Sequence, residues 1–384
     1  MLRQREGDRT PRVTNMELFF DLVYVFAITQ LSDRLFESLT ARGLVQSLVL
    51  FLAVWWAWNY TAWATNWIDP ERTTVALLML VLMAISLVMS AAIPQAFGAR
   101  GLTFAATYVG LQLLRSGFMV WALQDERMGR NYAQLLAWSA IAGVFWVAGA
   151  LVSDQDARLA VWAVALVLDL GAPMHGFRLP RVGSTPIGDW TLAGAHLAER
   201  MQLVLMIALG ESILRVGATL SSLEHPGLAV DLAFVTGFVG TAALWAMYFL
   251  GHAELGVAAI SRSFDESARL GRAAYAYGHA VMVLGVLVIA VAIRLTIGHP
   301  GGTVSTLVGV TILGGPALFL AGLALFKYSV LGHRPDPPLI GIGVLALLAL
   351  VALFASRLAL ALCATAVVLV LAIGAVRSGE DETV

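Results

Sequence analysis

The amino-acid sequence predicts an all-α integral membrane protein with about twelve transmembrane helices, arranged as two parallel six-helix repeats. Three observations lead to this prediction. The 384-residue chain is 59% hydrophobic and 13% charged, whereas soluble domains have about 45–50% apolar and about 25% charged residues. Apolar segments long enough to cross a bilayer recur along the whole chain. Several short sequences recur at a nearly constant spacing, which is typical of an internal duplication.

Composition and motif content exclude several classes of function. The formal net charge is −1, so the chain lacks the positive field that attracts polyanions, and we predict no nucleic-acid partner. Cys363 is the one cysteine, which excludes an intrachain disulfide and a cysteine-rich metal site. The phosphate-loop, H-E-x-x-H, G-x-S-x-G and C-x-x-C motifs are missing from the sequence. We therefore predict that the protein binds no cofactor and no metal. We also predict that it is not an enzyme, with an intramembrane enzyme kept as an alternative.

Twelve apolar segments are predicted to cross the bilayer, each near the 20 residues that a spanning helix needs. Short connections with turn-forming residues separate them, such as Asp69-Pro70 and His299-Pro300. Exposed sheet is excluded in lipid, because open strand edges leave backbone groups without hydrogen bonds. The predicted spans are roughly 16–36, 44–67, 74–97, 102–123, 132–152, 158–176, 194–216, 228–252, 272–297, 303–326, 338–354 and 357–376.

The distribution of arginine and lysine predicts the orientation, because positively charged loops stay in the cytoplasm. If the N-terminus is cytoplasmic, fifteen basic residues fall in the inside segments and seven in the outside segments. Both termini are therefore predicted to be cytoplasmic. The first apolar segment carries Glu17 and Asp21, which the apolar core of a cleavable signal peptide would avoid, so no such signal is predicted.

Sequence matches between the two halves predict the duplication. Arg72-Thr-Thr-Val-Ala76 matches Arg272-Ala-Ala-Tyr-Ala276, and Arg158-Leu-Ala160 matches Arg357-Leu-Ala359. Because six is an even number, both halves enter the membrane in the same direction and form parallel repeats. We place the first repeat at residues 1–190 and the second at residues 191–384. Twelve unrelated helices with coincidental matches are the alternative.

The first predicted helix carries Glu17 and Asp21, which are four residues apart and therefore lie on one face. Ionisable groups inside a spanning helix are costly and commonly mark a functional site. Two carboxylates this close require a cationic partner or a shared proton. The alternative for Glu17 is a position at the cytoplasmic interface, where the side chain is solvated.

The seventh predicted helix carries His196, Glu199, Arg200 and Glu211. At 100° per residue these four side chains fall within an arc of about 120°. Glu211 lies about 22 Å along the axis from His196, so this polar stripe crosses most of a bilayer. A helix with one polar stripe faces protein or water rather than lipid. The alternative is a structural ion pair, for instance Glu199 or Glu211 with Arg115.

Two further intramembrane charges are candidates for the site. Arg115 lies in the middle of the fourth span and requires an acid or a carbonyl as partner. Asp169 precedes Gly171 and Pro173, which predict a break in the sixth helix. The tryptophans of the second helix, from Trp55 to Trp67, are interpreted as an interfacial belt, with a substrate-stacking wall as the alternative.

Three motifs together resemble one known family. They are VTNMELFFDLVYVFAITQ from Val13 to Gln30, HLAER from His196 to Arg200 with LGES from Leu209 to Ser212, and the His299-Pro300 pair. These motifs are similar to those of the bacterial low temperature requirement protein A (LtrA) family, and the resemblance covers nearly the whole chain. It implies a multi-pass protein of the bacterial cytoplasmic (inner) membrane, named for a cold-growth phenotype and without a settled biochemical activity.

Two positions depart from the pattern of that family. Met201 follows Glu199-Arg200 where an aromatic residue is usual, and Leu250 stands where an acidic residue often follows Tyr248-Phe249. The first helix is also similar to the F-S-D motif of a potassium channel family built from two six-helix repeats, with Phe20 at the serine position. Leu203 occupies the position of Asp21 in the second half, which would break any mechanism that requires symmetric acids.

The leading functional prediction is transport of an ion or small polar solute across the lipid bilayer, through a path lined by the first and seventh helices. Glu17, Asp21 and Glu211 are the predicted charge or proton carriers, Arg200 and Arg115 their counter-ions, and His196 a proton relay. A passive channel is one variant. The alternatives are a membrane scaffold or chaperone and an intramembrane enzyme acting on lipid. The sequence identifies neither the solute nor an oligomeric partner.

Overall fold

The computed structural model describes residues 2–3, 12–124, 126–185, 188, 190, 192–221, 227–260 and 268–382. Helices dominate these ranges, which contain isolated β-bridges but no sheet, so the all-α prediction is confirmed. The helices are α1 (Asn15–Glu37), α2 (Ala41–Thr65), α3 (Thr73–Ala92), α4 (Gly101–Ala122), α5 (Arg127–Leu151), α6 (Gln155–Gly171), α7 (Gly194–Ser221), α8 (Leu228–Phe249), α9 (Ala253–Ile260), α10 (Ala268–Gly298), α11 (Thr306–Leu331), α12 (Asp336–Ala349) and α13 (Arg357–Glu382).

Nine helices in the described ranges are long and apolar enough to cross a membrane, and the protein is a multi-pass membrane protein. Three predicted spans fall outside this group. Helices α1 and α4 have 23 and 22 residues but carry several polar side chains, and α12 has 14 residues. The total of twelve spans therefore stays a prediction.

Local sequence explains where the sixth helix begins and ends. The side chain of Asp154 caps α6 by accepting a hydrogen bond from the Ala157 amide at 2.8 Å. Pro173 then stops the α-helix, since it lacks the N–H that the next turn requires. A 3-10 turn over Ala172–His175 follows, and Gly176 closes it with φ of 60°. The predicted break after Asp169 is confirmed.

The chain folds as two compact units. Unit 1 comprises Met1–Arg34, Arg42–Arg200 and Ser261–Arg269, and unit 2 comprises Leu35–Ala41, Met201–Ile260 and Leu270–Val384. Helix α7 passes from the first unit into the second at residue 200. The repeats at 1–190 and 191–384 stay a prediction.

In each unit, an arginine in the first turn of a helix donates to a carbonyl near the end of an earlier helix. In unit 1, Arg158 of α6 donates from Nη1 to the carbonyl of Ala96 at 3.0 Å. In unit 2, Arg357 of α13 donates from Nη1 to the carbonyl of Leu295 at 3.1 Å. Both guanidinium groups thereby satisfy carbonyls that the earlier helix leaves without a partner.

The aromatic side chains of α2 lie inside unit 1. Trp55, Trp56 and Trp58 are each at most 3% exposed, and the rings of Trp55 and Trp58 are 5.2 Å apart. Residues of an interfacial belt would instead face the lipid head groups. The interpretation of these tryptophans as a belt is therefore wrong, because residues 53–65, the part of α2 that carries them, are buried.

Unit 2 is built around a close contact between α10 and α11. A Cβ atom at Gly285 would lie 2.5 Å from the backbone nitrogen of Phe319, and one at Gly322 would lie 2.6 Å from that of Met282. The missing side chains let the two backbones approach each other, as small residues do in membrane helix pairs. Glycine is thus required at these positions.

Candidate functional site

The start of α1 forms a capping box that fixes the Glu17 side chain. The Thr14 hydroxyl accepts from the Glu17 amide at 3.3 Å, and Glu17 Oε2 accepts from the Thr14 amide at 2.9 Å. This reciprocal pair satisfies two amides that a helix N-terminus otherwise leaves unpaired. Contacts within the first turn of α1 are therefore enough to orient the carboxylate, independently of residues that are distant in sequence.

Helix α7 and the N-terminal segment place side-chain nitrogens beside the same carboxylate. Glu17 Oε1 lies 3.0 Å from Nε2 of His196 and 3.0 Å from Nη1 of Arg200. Glu17 Oε2 lies 2.7 Å from Nη2 of Arg3. Because His196 and Arg200 are four residues apart on one helix face, both reach the carboxylate together. The predicted alternative of a solvated Glu17 is wrong, since its side chain is 0% exposed.

Arg200 bridges the two acids of α1. Its Nη2 atom lies 2.6 Å from Oδ1 of Asp21, while its Nη1 atom contacts Glu17 and the Thr65 hydroxyl. Trp58 donates from its indole to the same Oδ1 of Asp21 at 2.8 Å. The planar guanidinium has donors on both sides, and so one arginine serves two carboxylates one helical turn apart. The second oxygen of Asp21 is buried without a hydrogen-bond partner in the described structure.

Asn66 determines which nitrogen of His196 carries the proton. The Asn66 carbonyl oxygen accepts from the Ala193 amide at 2.8 Å, so its NH2 group faces the Ala193 carbonyl and Nδ1 of His196. Nδ1 must therefore accept, and the proton lies on Nε2, directed at Glu17. In this arrangement His196 is neutral, and its protonated Nε2 lies 3.0 Å from Oε1 of Glu17.

The side chains of this buried ion cluster, namely Arg3, Glu17, Asp21, His196 and Arg200, are closed to solvent. Four of them are 0% exposed and Arg3 is 7% exposed. With both carboxylates ionised, the two arginines balance them and the cluster carries no net charge. Such a balance of charge is what ionised groups need inside an apolar unit, because an unpaired buried charge is strongly destabilising.

Two predicted members of the polar stripe lie outside this cluster. Glu199 is half-buried and accepts from the Val13 amide at 3.1 Å, which ties α7 to the segment before α1. Glu211 is buried and pairs with Arg215 on the next turn of α7 at 2.8 Å. It belongs to unit 2. The alternative of a structural ion pair stays open for Glu211, with Arg215 as the partner, whereas Glu199 accepts from a backbone amide.

Arg115 and Asp169 end a second buried chain of hydrogen bonds in unit 1. Arg115 donates to Gln112, Gln112 donates to the Tyr108 hydroxyl at 3.0 Å, and Tyr108 donates to Asp169 Oδ2 at 2.8 Å. Trp146 donates to the same Asp169 oxygen at 2.9 Å. Arg115 also lies 3.4 Å from the carbonyl of Ala57 on α2. Of the two kinds of partner predicted for Arg115, an acid or a carbonyl, the structure shows a carbonyl.

The structure therefore separates the predicted residues into three groups. Glu17, Asp21, His196 and Arg200 come together, Arg115 and Asp169 share a second network, and Glu199 and Glu211 have separate contacts. Sequence reasoning missed seven partners whose role depends on the fold. They are Arg3, Trp58, Asn66, Tyr108, Gln112, Trp146 and Thr14, of which only Thr14 had a local signal, the Thr-x-x-Glu capping pattern.

The cluster does not resemble a metal centre. No group of three or more His, Cys, Asp or Glu side chains that could hold a metal occurs in the part of the chain that the structure describes. Guanidinium nitrogens of Arg200 occupy the positions beside both carboxylates where a cation ligand set would form. The His196–Glu17 contact has the reach that acid–base catalysis needs, but both side chains are closed to any substrate in this conformation.

Comparison with known proteins identifies relatives along nearly the whole chain. The sequence profile of the bacterial low temperature requirement A protein (LtrA) matches residues 12–373. An uncharacterized protein of Rhizobium meliloti (strain 1021) is 35% identical over 349 residues, which cover 90% of this chain and 84% of the relative. No solved structure matches the chain. The match includes every residue of the buried ion cluster except Arg3.

Proposed function

The chain belongs to the bacterial low temperature requirement A (LtrA) family, and from its buried charges we propose that it carries an ion or small polar solute across the bacterial cytoplasmic membrane. The buried ion cluster is the proposed carrier site. Ionisable side chains in membrane helices are costly, and they commonly mark ion or proton pathways. Glu17 and Asp21 carry the charge, Arg200 is their counter-ion, and His196 relays a proton.

The observation that carries this proposal is the environment of Asp21. Its carboxylate is fully buried, and one oxygen accepts from both Arg200 and Trp58 while the other accepts from nothing in the described structure. Buried polar atoms in native proteins almost always have a partner, and an exception calls for an explanation. A proton or small cation that binds this second oxygen supplies the missing partner.

In the proposed mechanism, Arg200 changes from pairing with both acids to pairing with Glu17 alone. When a proton or cation neutralises Asp21, Arg200 keeps Glu17 as its remaining ion partner. The contact between α1 and α7 is then weakened on the Asp21 side, while the Glu17 capping box still holds the start of α1. This change opens the cluster toward one side of the membrane. Glu211, paired with Arg215 in unit 2, is the third proposed carrier.

Two contacts support the proposed two-repeat architecture. The pairs Arg158–Ala96 and Arg357–Leu295 are the same type of contact, and both residues of the second pair lie 199 positions after those of the first. This is the offset at which the sequence around Arg158 recurs. Parallel repeats place both termini on the same side, and the excess of basic residues in the inside segments favours the cytoplasm.

Ion flux in proteoliposomes tests the proposal. The purified full chain is reconstituted with a pH-sensitive dye, and proton, sodium and potassium gradients are imposed in turn. We expect a gradient-driven signal that Asp21→Asn abolishes, because the amide keeps the size and the Trp58 hydrogen bond but removes the charge. Asp156→Asn is the matched control, since Asp156 is an exposed acid paired with Arg42 at the surface.

Two results would contradict this assignment. Equal flux from the Asp21→Asn and Asp156→Asn proteins would remove Asp21 from the path. A wild-type protein that is folded yet gives no signal under any gradient would remove ion transport itself. The variants are compared only when their melting temperatures in detergent match that of the wild-type protein.

A membrane scaffold is the second candidate function, and the charge balance of the cluster favours it. Glu17 contacts two arginines, a histidine and its own helix cap, with no solvent access. A cluster of this kind is also expected where charges only specify how helices pack. In that case Asp21→Asn lowers the free energy of unfolding, and neither protein produces flux.

A further inference from the structure

A polar cavity lies in unit 1, away from the buried ion cluster, between the start of α5 and the loop that follows α6. Its volume is about 460 Å³, which is in the range of ligand sites. Arg127 and Arg130 line it from α5, and Ser184 and Thr185 line it from the loop. The two arginines are three residues apart and so lie on the same face of the helix.

The floor of the cavity is ordered by hydrogen bonds. Thr185 donates to the buried Gln134 side chain, and the Thr185 amide donates to the Gly176 carbonyl at 2.7 Å. A bond from the Leu179 amide to the Gly183 carbonyl at 2.9 Å closes the loop. Gly176 and Gly183 have φ of 60° and 92°, which glycine adopts without strain. The loop therefore holds a fixed shape beside α5.

The two charged residues that line the cavity are both arginines. No aspartate or glutamate is among its lining residues as the structure describes them. Arg178 and Arg181 of the loop are exposed next to it and add to the positive field. Arginine is the side chain best suited to phosphate, because its planar donors bind two oxygens at once.

The position of the cavity relates it to the membrane surface. Arg127 is the first residue of a helix that is long and apolar enough to span the bilayer, so its guanidinium lies at the level of lipid head groups. Val182 lines the same cavity and is 66% exposed. An exposed apolar side chain beside arginines is typical of a surface that contacts both head groups and acyl chains.

We propose that this cavity binds the phosphodiester head group of an anionic phospholipid. Arg127 and Arg130 hold the phosphate, the neutral polar groups of Gln134, Ser184 and Thr185 hydrogen-bond the glycerol hydroxyls, and Val182 contacts the start of an acyl chain. Basic pockets at the ends of membrane helices bind anionic lipids in this way. The site is independent of the transport proposal, because it shares no residue with the buried ion cluster.

Lipid binding to the purified full chain tests the proposal by native mass spectrometry in a neutral detergent. Phosphatidylglycerol is the probe, phosphatidylcholine is the zwitterionic comparison, and inorganic phosphate is the soluble competitor. We expect phosphatidylglycerol to bind in preference to phosphatidylcholine, and excess inorganic phosphate not to displace it. Arg130→Gln should weaken phosphatidylglycerol binding about tenfold, the effect of one lost charge-assisted contact.

Arg72→Gln is the matched control, because Arg72 is an exposed arginine at the start of another membrane helix and outside the cavity. It should leave binding unchanged. Equal losses in Arg130→Gln and Arg72→Gln would overturn the site, and equal binding of the two lipids would overturn the requirement for negative charge. If inorganic phosphate displaces phosphatidylglycerol, the cavity is a site for free phosphate, and the proposal of a lipid site is wrong. Arg130 is exposed at the cavity mouth, so its replacement is compatible with folding.

Discussion

Arg200 and Asp21 form a fully buried ion pair in which the guanidinium Nη2 lies 2.6 Å from the carboxylate Oδ1, across 179 residues of sequence. The same guanidinium reaches Glu17 with its other terminal nitrogen. One cation therefore pairs with both acids of α1 from a single position on α7. A change at either acid therefore alters the charge balance around the other.

Loss of Arg200 should destabilise the protein strongly. Arg200→Gln leaves Asp21 with no cationic partner and Glu17 with Arg3 alone, and breaking a buried pair on one side costs about 3–5 kcal/mol. The double variant Arg200→Gln/Asp21→Asn should recover part of this loss, because it removes the orphaned charge as well. Chemical unfolding in detergent measures all three free energies of unfolding.

Arg42→Gln is the control for this comparison, since the Arg42–Asp156 pair is exposed. Exposed pairs contribute about 0–1 kcal/mol. If Arg200→Gln and Arg42→Gln lower the free energy of unfolding equally, the buried pair has no special role in stability.

The proton position on His196 can be checked directly. Because Asn66 presents its NH2 group to Nδ1, His196 should be the neutral tautomer with the proton on Nε2. Solid-state NMR of protein labelled with 15N-histidine in lipid distinguishes this tautomer from the other by its nitrogen shifts. His333 is exposed and serves as the internal reference for a histidine without such a constraint.

Asn66→Asp should change the protonation of His196. A carboxylate at this position accepts from Nδ1 while Glu17 lies at Nε2, so both ring nitrogens carry a proton and the ring becomes the imidazolium, and the Ala193 carbonyl loses its donor. We expect a new nitrogen shift and a free energy of unfolding that is lower by about 1–3 kcal/mol, the usual effect of a buried polar group left unpaired. An unchanged spectrum in Asn66→Asp would mean that Glu17, and not Asn66, determines the tautomer.

The two donors of Asp169 should matter about equally. Tyr108 and Trp146 donate to the same carboxylate oxygen at 2.8 and 2.9 Å. Tyr108→Phe or Trp146→Phe removes one of them and should lower the free energy of unfolding by about 1–3 kcal/mol. Since both donors serve one atom, the two effects should not be additive in the double variant.

Tyr328→Phe is the control for this pair, because Tyr328 is 58% exposed. Its effect should stay within about 0.5 kcal/mol. Strict additivity in the double variant, measured by chemical unfolding in detergent, would contradict a shared role of Tyr108 and Trp146 on Asp169.

The helices could be predicted from the sequence because hydropathy is a local property. The second span was predicted at roughly 44–67 and is found at Ala41–Thr65. The grouping of His196 and Arg200 on one face also followed from helix periodicity alone. What these side chains contact did not follow, because Glu17 and His196 are brought together only by the packing of α1 against α7.

Two failures of the sequence reasoning have physical causes. The sequence favours an interfacial belt for Trp55 and Trp58, yet both are buried, because composition does not distinguish an aromatic residue that packs against protein from one at the membrane interface. Arg3 was counted only as an inside charge, although its guanidinium reaches Glu17 and its amide donates to the Trp67 carbonyl at 3.0 Å. In both cases the deciding contact is distant in sequence.

His252 should make stability depend on pH. This residue lies in the turn between α8 and α9, outside the spanning helices, and is 7% exposed. Burial, and to a lesser extent the nearby Lys327 ammonium, lower the pKa of His252 from its usual 6.5 to about 4, although a backbone hydrogen bond with Gly251 raises it in part. Between pH 6.5 and 4 the unfolded chain therefore binds a proton that the folded protein does not.

The sign follows from this difference. Stability is complete above pH 6.5, falls as the pH decreases toward 4, and changes no further below 4 on account of this residue. The total is on the order of 3 kcal/mol, at about 1.4 kcal/mol for each unit of pKa difference. His252→Asn should flatten the profile of unfolding free energy between pH 4 and 6.5, whereas His333→Asn, at an exposed position, should retain the wild-type slope. Parallel profiles for the wild-type and His252→Asn proteins would show that His252 titrates alike in the folded and unfolded chain.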